Sequence, residues 1–234
     1  MLEKSAQIGG TWQFNTYPGC ACDIPSLLYE FSFFSNPNWS GLYPQQAEIF
    51  AYLRAFVEHF RLAPHIQFNT KVVSARWDED ALEWVVSVQT TRAIVGGAAG
   101  VHTVDERSER TLRAPFMISA MGGLHVPQFP KGVAGAGRSG DSGAAFRGDS
   151  FHTAEWPRAF DATGKRVAIV GSAASAVQCI PHLAKAASRL YVLQRTPNWI
   201  GPKVPVHTCS IIAPTDGQSS YQSFCLQIPF GLKK

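Results

Sequence analysis

Ile49, Phe50, Leu53, Phe56, Val57 and Phe60 fall on one stripe at the 3.6-residue spacing of a helix, which predicts a helix over 44–60 with Pro44 in its first turn. The period then changes. Ile66, Phe68, Thr70 and Val72 alternate, the chain turns at Asp78-Glu79-Asp80, and Trp84, Val86 and Val88 alternate again, so a half-buried hairpin is expected. Leu112 to Ser119 predicts a further apolar strand. Arg166 to Val170 is a short apolar run that meets Gly171; a helical stretch follows to about Ala187, and Leu190 to Leu193 forms a second short run. Strand, helix and strand in that order begin a βαβ unit of a parallel sheet.

Small and turn-forming residues divide these elements. Gly96-Gly97-Ala98-Ala99-Gly100 predicts a loop, and Gly132 to Ala145, rich in Gly, Ala and Ser, predicts a linker. From Val204 onward, Pro205, Pro214, Asp216-Gly217 and Ser219-Ser220 break every apolar stretch, which predicts an irregular tail over 204–234. No repeat of fixed period is present.

Composition narrows the class. With 234 residues, 45% of them apolar and 16% charged, the chain can bury a real core. No apolar run approaches the roughly 20 residues that span a bilayer, and Met1-Leu2-Glu3-Lys4 does not open a secretory signal. No membrane segment and a cytoplasmic location are expected. The net charge of +4 is spread without basic runs, so no nucleic-acid partner is expected. Cys20, Cys22, Cys179, Cys209 and Cys225 are odd in number and irregular in spacing, and Cys20-x-Cys22 lacks the second pair that a zinc site needs. Free thiols and no metal follow.

Three groups of residues carry chemistry. Gly171-Ser172-Ala173-Ala174-Ser175-Ala176 occupies the strand-to-helix turn where a dinucleotide site reads G-x-G-x-x-G or G-x-G-x-x-A, with Ala173 in place of the second glycine. Alone, the hexapeptide fits a packing turn as well as a phosphate turn. The second strand of the unit ends in Gln194-Arg195-Thr196, where an NAD site places an acid and an NADP site an arginine. Arg195 and Thr196 suit a 2′-phosphate through charge-assisted hydrogen bonds, and a solvated surface arginine is the alternative. The third group, Phe146 to Pro157, fits F-x-G-x-x-x-H-x-x-x-W-P at every fixed position. A chance match anywhere in such a chain has a probability on the order of one in ten thousand.

That last pattern resembles the fingerprint of Baeyer-Villiger monooxygenases, where it lies between two dinucleotide-binding regions. The N-terminus resembles the same family through Glu3, Gly9-Gly10-Thr11-Trp12 and Tyr17-Pro18-Gly19-Cys20-Ala21-Cys22-Asp23, and Ala120-Met121-Gly122-Gly123 resembles its A-T-G turn with Met in place of Thr. The resemblance runs from residue 1 to about Lys203. It implies FAD and NADP as cofactors, with Glu3 on the adenosine ribose and Gly10, Thr11 and Trp12 lining the FAD. Asp23 would lie near the flavin, Asp23 and His152 would carry catalytic roles, and Trp156, Gly171, Ser172, Ser175, Arg195 and Thr196 would serve the nicotinamide cofactor.

The implied fold is α/β: a partial flavoprotein of two Rossmann-like dinucleotide-binding domains, with parallel sheets and a β-hairpin insertion. The expected division is a partial FAD-binding domain over 1–130 lacking its first βαβ, a linker with the fingerprint over 131–165, the start of an NADP-binding domain over 166–203 and the tail. In the whole family NADPH reduces FAD, the flavin activates O₂, and a ketone becomes an ester or lactone; ketones or soft heteroatoms are the small-molecule substrates implied. With Glu3 closing the second strand of the FAD fold, the resemblance implies that the first strand, its phosphate-cradling glycine turn and the following helix, roughly 30 residues, would lie upstream of it. An incomplete chain, inactive alone, is therefore expected; the alternative is an inactive remnant that folds partly or binds a partner chain.

Overall fold

The computed structural model describes residues 1–94, 102–124, 126–129 and 146–197. The loop expected at 96–100, the linker at 132–145, the tail at 204–234 and Cys209 and Cys225 lie outside them.

The first residues of the chain form a short parallel ladder with residues 67–70. Gln67 N–H donates to the Met1 carbonyl at 2.8 Å, Glu3 N–H to Gln67 at 2.9 Å and Thr70 N–H to Glu3 at 2.9 Å. Ile66 and Phe68, expected in the hairpin, thus belong to or flank this ladder. A four-residue helix, α1 (Thr11–Phe14), follows Gly9 and Gly10, whose φ angles of 114° and 50° are positions that glycine adopts without strain. The helix expected at 44–60 is α2 (Gln46–His59); it turns Ile49 and Tyr52 inward, where they pack with Cys22 and Trp39.

Three strands then form an antiparallel sheet in the order β1 (Thr70–Asp78), β2 (Glu83–Ala93) and β3 (His102–Ala114). Only the central strand is well covered: Val85, Val86 and Val88 are buried, while β1 is exposed over most of its length. The apolar strand expected over 112–119 is a correction. The ladder ends at the pair Trp84 and Ala114, because Pro115 has no N–H to donate to it, and residues 115–120 run without regular structure.

The βαβ unit has the expected form: β4 (Arg166–Val170), α3 (Ala174–Ala186) and β5 (Arg189–Leu193), with β4 and β5 parallel. Ala176, Cys179 and Leu183 on α3 share one buried cluster with Tyr17 and Cys20 from the N-terminal segment and with Trp156 and Ala162 from the segment between. These three stretches are therefore packed as one core. Among the described residues no helix is long and apolar enough to cross a membrane, and no group of side chains is arranged to hold a metal.

Candidate functional site

Open space lies over several glycines, Gly41, Gly122, Gly123 and Gly164 as well as those of the two turns that the sequence singles out. At Gly171, with φ of 112°, and at Gly10, a methyl group would meet no atom within 4 Å, so the backbone of each turn faces free space. The Gly171 turn leads into α3, a helix of 13 residues whose first N–H groups point back toward that space. Gly171 N–H itself donates to the Leu193 carbonyl at 2.8 Å, which ties the turn to the end of β5. Ala173 is the residue that caps α3, with φ of −72°, a conformation open to any residue. Its methyl is exposed.

Arg195 and Thr196 follow β5 after Gln194 and both are exposed, one strand from the turn. Ser172 and Ser175 are half-buried at the turn.

On the N-terminal side, Glu3 sits at the end of the short parallel ladder and its Oε1 accepts the Ser5 N–H at 2.9 Å, which fixes the carboxylate at a strand end. Gly9 allows the turn to pass under the helix, since a methyl there would lie 2.7 Å from the Phe50 ring. Trp12 is pinned by its Nε1, which donates to the Tyr29 hydroxyl at 3.2 Å, with the two rings edge to face at 5.6 Å. Its carbonyl accepts the Gln46 side-chain amide. Thr11 is exposed beside it, and Asp23 is exposed just beyond the buried Cys22. Between these segments lies a cleft of about 160 Å³ lined by Thr16, Tyr17, Gly19, Cys20, Gln45, Gln46 and Ala47.

The fingerprint segment is held from both sides. Phe146, Arg147 and Gly148 are exposed; Phe151, Trp156 and Phe160 meet edge to face, with centroids 4.8 to 5.5 Å apart. Trp156, expected at the cofactor, is only 8% exposed and packs at the joint of Tyr17, Cys20, Cys179 and Leu183. Its ring is part of the core. His152 Nδ1 accepts the Ala154 N–H at 3.1 Å, which leaves the proton of the neutral ring on Nε2. Burial lowers its pKa, opposed by the nearby Glu155 carboxylate, so the neutral form is favoured. Among the described residues no hydrogen bond or ion pair joins His152 to Asp23.

Burial pushes the Tyr17 hydroxyl and the Cys20 and Cys179 thiols up from their ordinary values. All three stay protonated near neutral pH, and Cys20, Cys22 and Cys179 are buried and form no disulfide among the described residues. What the residue pattern did not single out is Gln178, whose side chain reaches from α3 to Tyr17 and Ala21. A glutamine one turn into an exposed-looking helix carries no signal of such a contact.

A glycine turn before a short helix, a second at a βαβ unit, and an F-x-G-x-x-x-H-x-x-x-W-P segment whose Trp156 packs in the core they share make up an α/β arrangement. Comparison with known proteins agrees. The model of the family described as "Flavin-binding monooxygenase-like" matches residues 1–208. A Baeyer-Villiger monooxygenase of Streptomyces coelicolor is 38% identical over 204 residues, covering 87% of this chain and 34% of that protein. The solved structure of OTEMO in complex with FAD and NADP superposes with a TM-score of 0.68 at 34% identity, over 85% of this chain and 34% of that one. Cyclohexanone monooxygenase with bound epsilon-caprolactone gives a TM-score of 0.71 at 30% identity, over 89% and 37%. The chain belongs to the flavin-binding monooxygenase-like family and has the Rossmann-like α/β fold of its flavoproteins. It spans about a third of the length of these relatives.

Proposed function

We propose that this chain is the part of a Baeyer-Villiger-type monooxygenase that joins a FAD-binding region to an NADPH-binding region. The observation that carries this is the fingerprint segment 146–157, whose Trp156 packs into the core shared by the flavin-side Tyr17 and Cys20 and the βαβ helix. Residues 1–130 form the FAD side, 131–165 the joint and 166–203 the start of the NADP side. Glu3, Gly10, Thr11 and Trp12 hold FAD, with Asp23 at the flavin edge. Gly171, Ser172 and Ser175 form the phosphate turn, and Arg195 with Thr196 bind the 2′-phosphate. Trp156 serves the nicotinamide cofactor indirectly, by holding the joint at which both cofactor segments meet.

The bound cofactors would supply hydride and the oxygen-activating ring, acting with O₂ on a small ketone or a soft heteroatom. The residues of this chain orient them. His152, neutral with its proton on Nε2, offers one donor to whatever lies beside the joint, and Asp23 offers an exposed carboxylate at the flavin edge. A location in the cytoplasm goes with this activity.

The test is the choice of nicotinamide cofactor. Fluorescence titration of the chain with NADPH and NADH is expected to favour NADPH, and Arg195→Ala to weaken NADPH by about 1.5 to 3 kcal/mol, the range for a hydrogen bond to a charged group, while leaving NADH unchanged. Equal losses for both cofactors would remove the 2′-phosphate assignment.

A further inference from the structure

The backbone segment from Tyr17 to Cys22 is a narrow ribbon with a different partner along each edge. On one side Cys22 N–H donates to the Pro44 carbonyl at 2.9 Å and Gln46 N–H donates to the Cys20 carbonyl at 2.9 Å, which binds the ribbon to the start of α2. On the other side lies one side chain. Gln178 Nε2 donates to the Ala21 carbonyl at 2.9 Å, and Oε1 accepts the Ala21 N–H at 3.2 Å and the Tyr17 hydroxyl at 2.9 Å. The primary amide thus pairs with both polar groups of Ala21 as a neighbouring peptide unit of a sheet would, and it meets the need of a half-buried backbone for partners.

Two further features hold the same contact. Gly19 has φ of 79°, and a methyl there would lie 2.6 Å from the Gln178 carbonyl oxygen and 2.6 Å from His182 Nε2, so the ribbon and α3 approach backbone to backbone. Tyr17, whose hydroxyl Gln178 holds, is itself buried in one cluster with Cys179 and Leu183 of α3. The helix that starts at the Gly171 turn therefore grips the ribbon that ends at Asp23 through the Gln178 amide, a shared apolar cluster and one bare backbone contact.

We propose that Gln178 is a positioning residue: its amide clasp on Ala21 and Tyr17 sets the placement of the flavin-side ribbon 17–23 against the nicotinamide turn 171–175, so that occupancy of the turn stiffens the ribbon. The proposal rests on the NADPH assignment made above, and the clasp itself can be judged without any cofactor.

Amide hydrogen exchange of the 234-residue chain, followed residue by residue by NMR, tests it. In Gln178→Leu the Ala21 and Cys22 amides are expected to exchange about tenfold faster, as fits the loss of hydrogen bonds from a half-buried backbone, with β2 unchanged. Tyr17→Phe, which removes one oxygen and no packing, is expected to give a smaller acceleration at the same amides, and Lys185→Ala, late on α3, none. NADP⁺ is expected to slow exchange at 171–175 and at 20–23 in the unsubstituted chain, and only at 171–175 in Gln178→Leu. Unchanged exchange at Ala21 in Gln178→Leu, or an equal acceleration through β2, overturns the clasp. Slowing at the turn that never reaches the ribbon overturns the coupling. If NADP⁺ leaves both regions of the unsubstituted chain unchanged, the cofactor assignment and the coupling fall together, while the cofactor-free comparison still decides the clasp.

Discussion

The joint around Trp156 and the strand ends that flank it are built from similar residues and meet opposite fates. At the joint, Tyr17, Cys20, Trp156, Ala162, Cys179 and Leu183 are each under 9% exposed. Elsewhere in the chain, Phe116 is 86% exposed, Ile118 92%, Val170 52% and Leu193 55%. The difference is one of partners. The joint gathers three stretches of chain far apart in sequence, so each apolar group finds others across the contact, whereas among the described residues β4 and β5 pair only with each other and use one face against α3. A parallel sheet ordinarily carries cover on both faces. The joint is therefore where this chain holds its own stability, and the strand ends are where it depends on what else is present.

The most severe test of that contrast is Trp156→Ala. Removing a buried indole from the joint leaves a cavity that three stretches of chain must close around, at a cost of about 3 to 5 kcal/mol. An ordinary domain has a total stability of roughly 5 to 15 kcal/mol, so that loss removes a large share of the margin and should lower the denaturation midpoint sharply. Denaturant melts followed by near-ultraviolet circular dichroism measure it. A loss under 1 kcal/mol would mean that the joint is not the source of stability.

Gly19→Ala acts on the same joint through the backbone. An alanine at φ of 79° is strained, and its methyl would collide with the Gln178 carbonyl, so a loss of about 2 to 3 kcal/mol is expected in the same melts. A Gly19→Ala variant as stable as the parent would show that the ribbon can draw away from α3 without penalty.

How far these regions could be read in advance depends on the kind of signal. The stripe from Ile49 to Phe60 and the runs at 166–170 and 190–193 became α2, β4 and β5 because local periodicity alone decides such elements. The strand over 112–119 failed because its apolar pattern continued past Pro115, where the ladder lost a donor, and pattern without hydrogen-bond bookkeeping does not see that. Ile66 to Thr70 alternated as expected but joined the first residues of the chain, a pairing set by contacts more than 60 residues apart. At the site, the turn at Gly171 and the arginine after β5 were legible from spacing. The burial of Trp156 and the clasp of Gln178 were not, since both arise where Tyr17 to Cys22 meets α3, and nothing local to either residue records that meeting.

The smallest expected effect lies on the open side, at Ile118. In a soluble domain a buried isoleucine replaced by threonine loses its packing and gains a hydroxyl that needs a partner, a change of well over 1 kcal/mol. At 92% exposure neither term applies, because water already surrounds the side chain. Ile118→Thr is therefore expected to shift the denaturation free energy by no more than about 0.5 kcal/mol, the usual range for surface substitutions. The same change reduces an exposed apolar run that includes Phe116, Met121 and Leu124, so the concentration at which the chain aggregates, read by light scattering, should rise. A destabilisation above 1 kcal/mol that grows with protein concentration would show instead that Ile118 is covered in solution by a second copy, and the contrast between joint and strand ends would then describe the isolated chain alone.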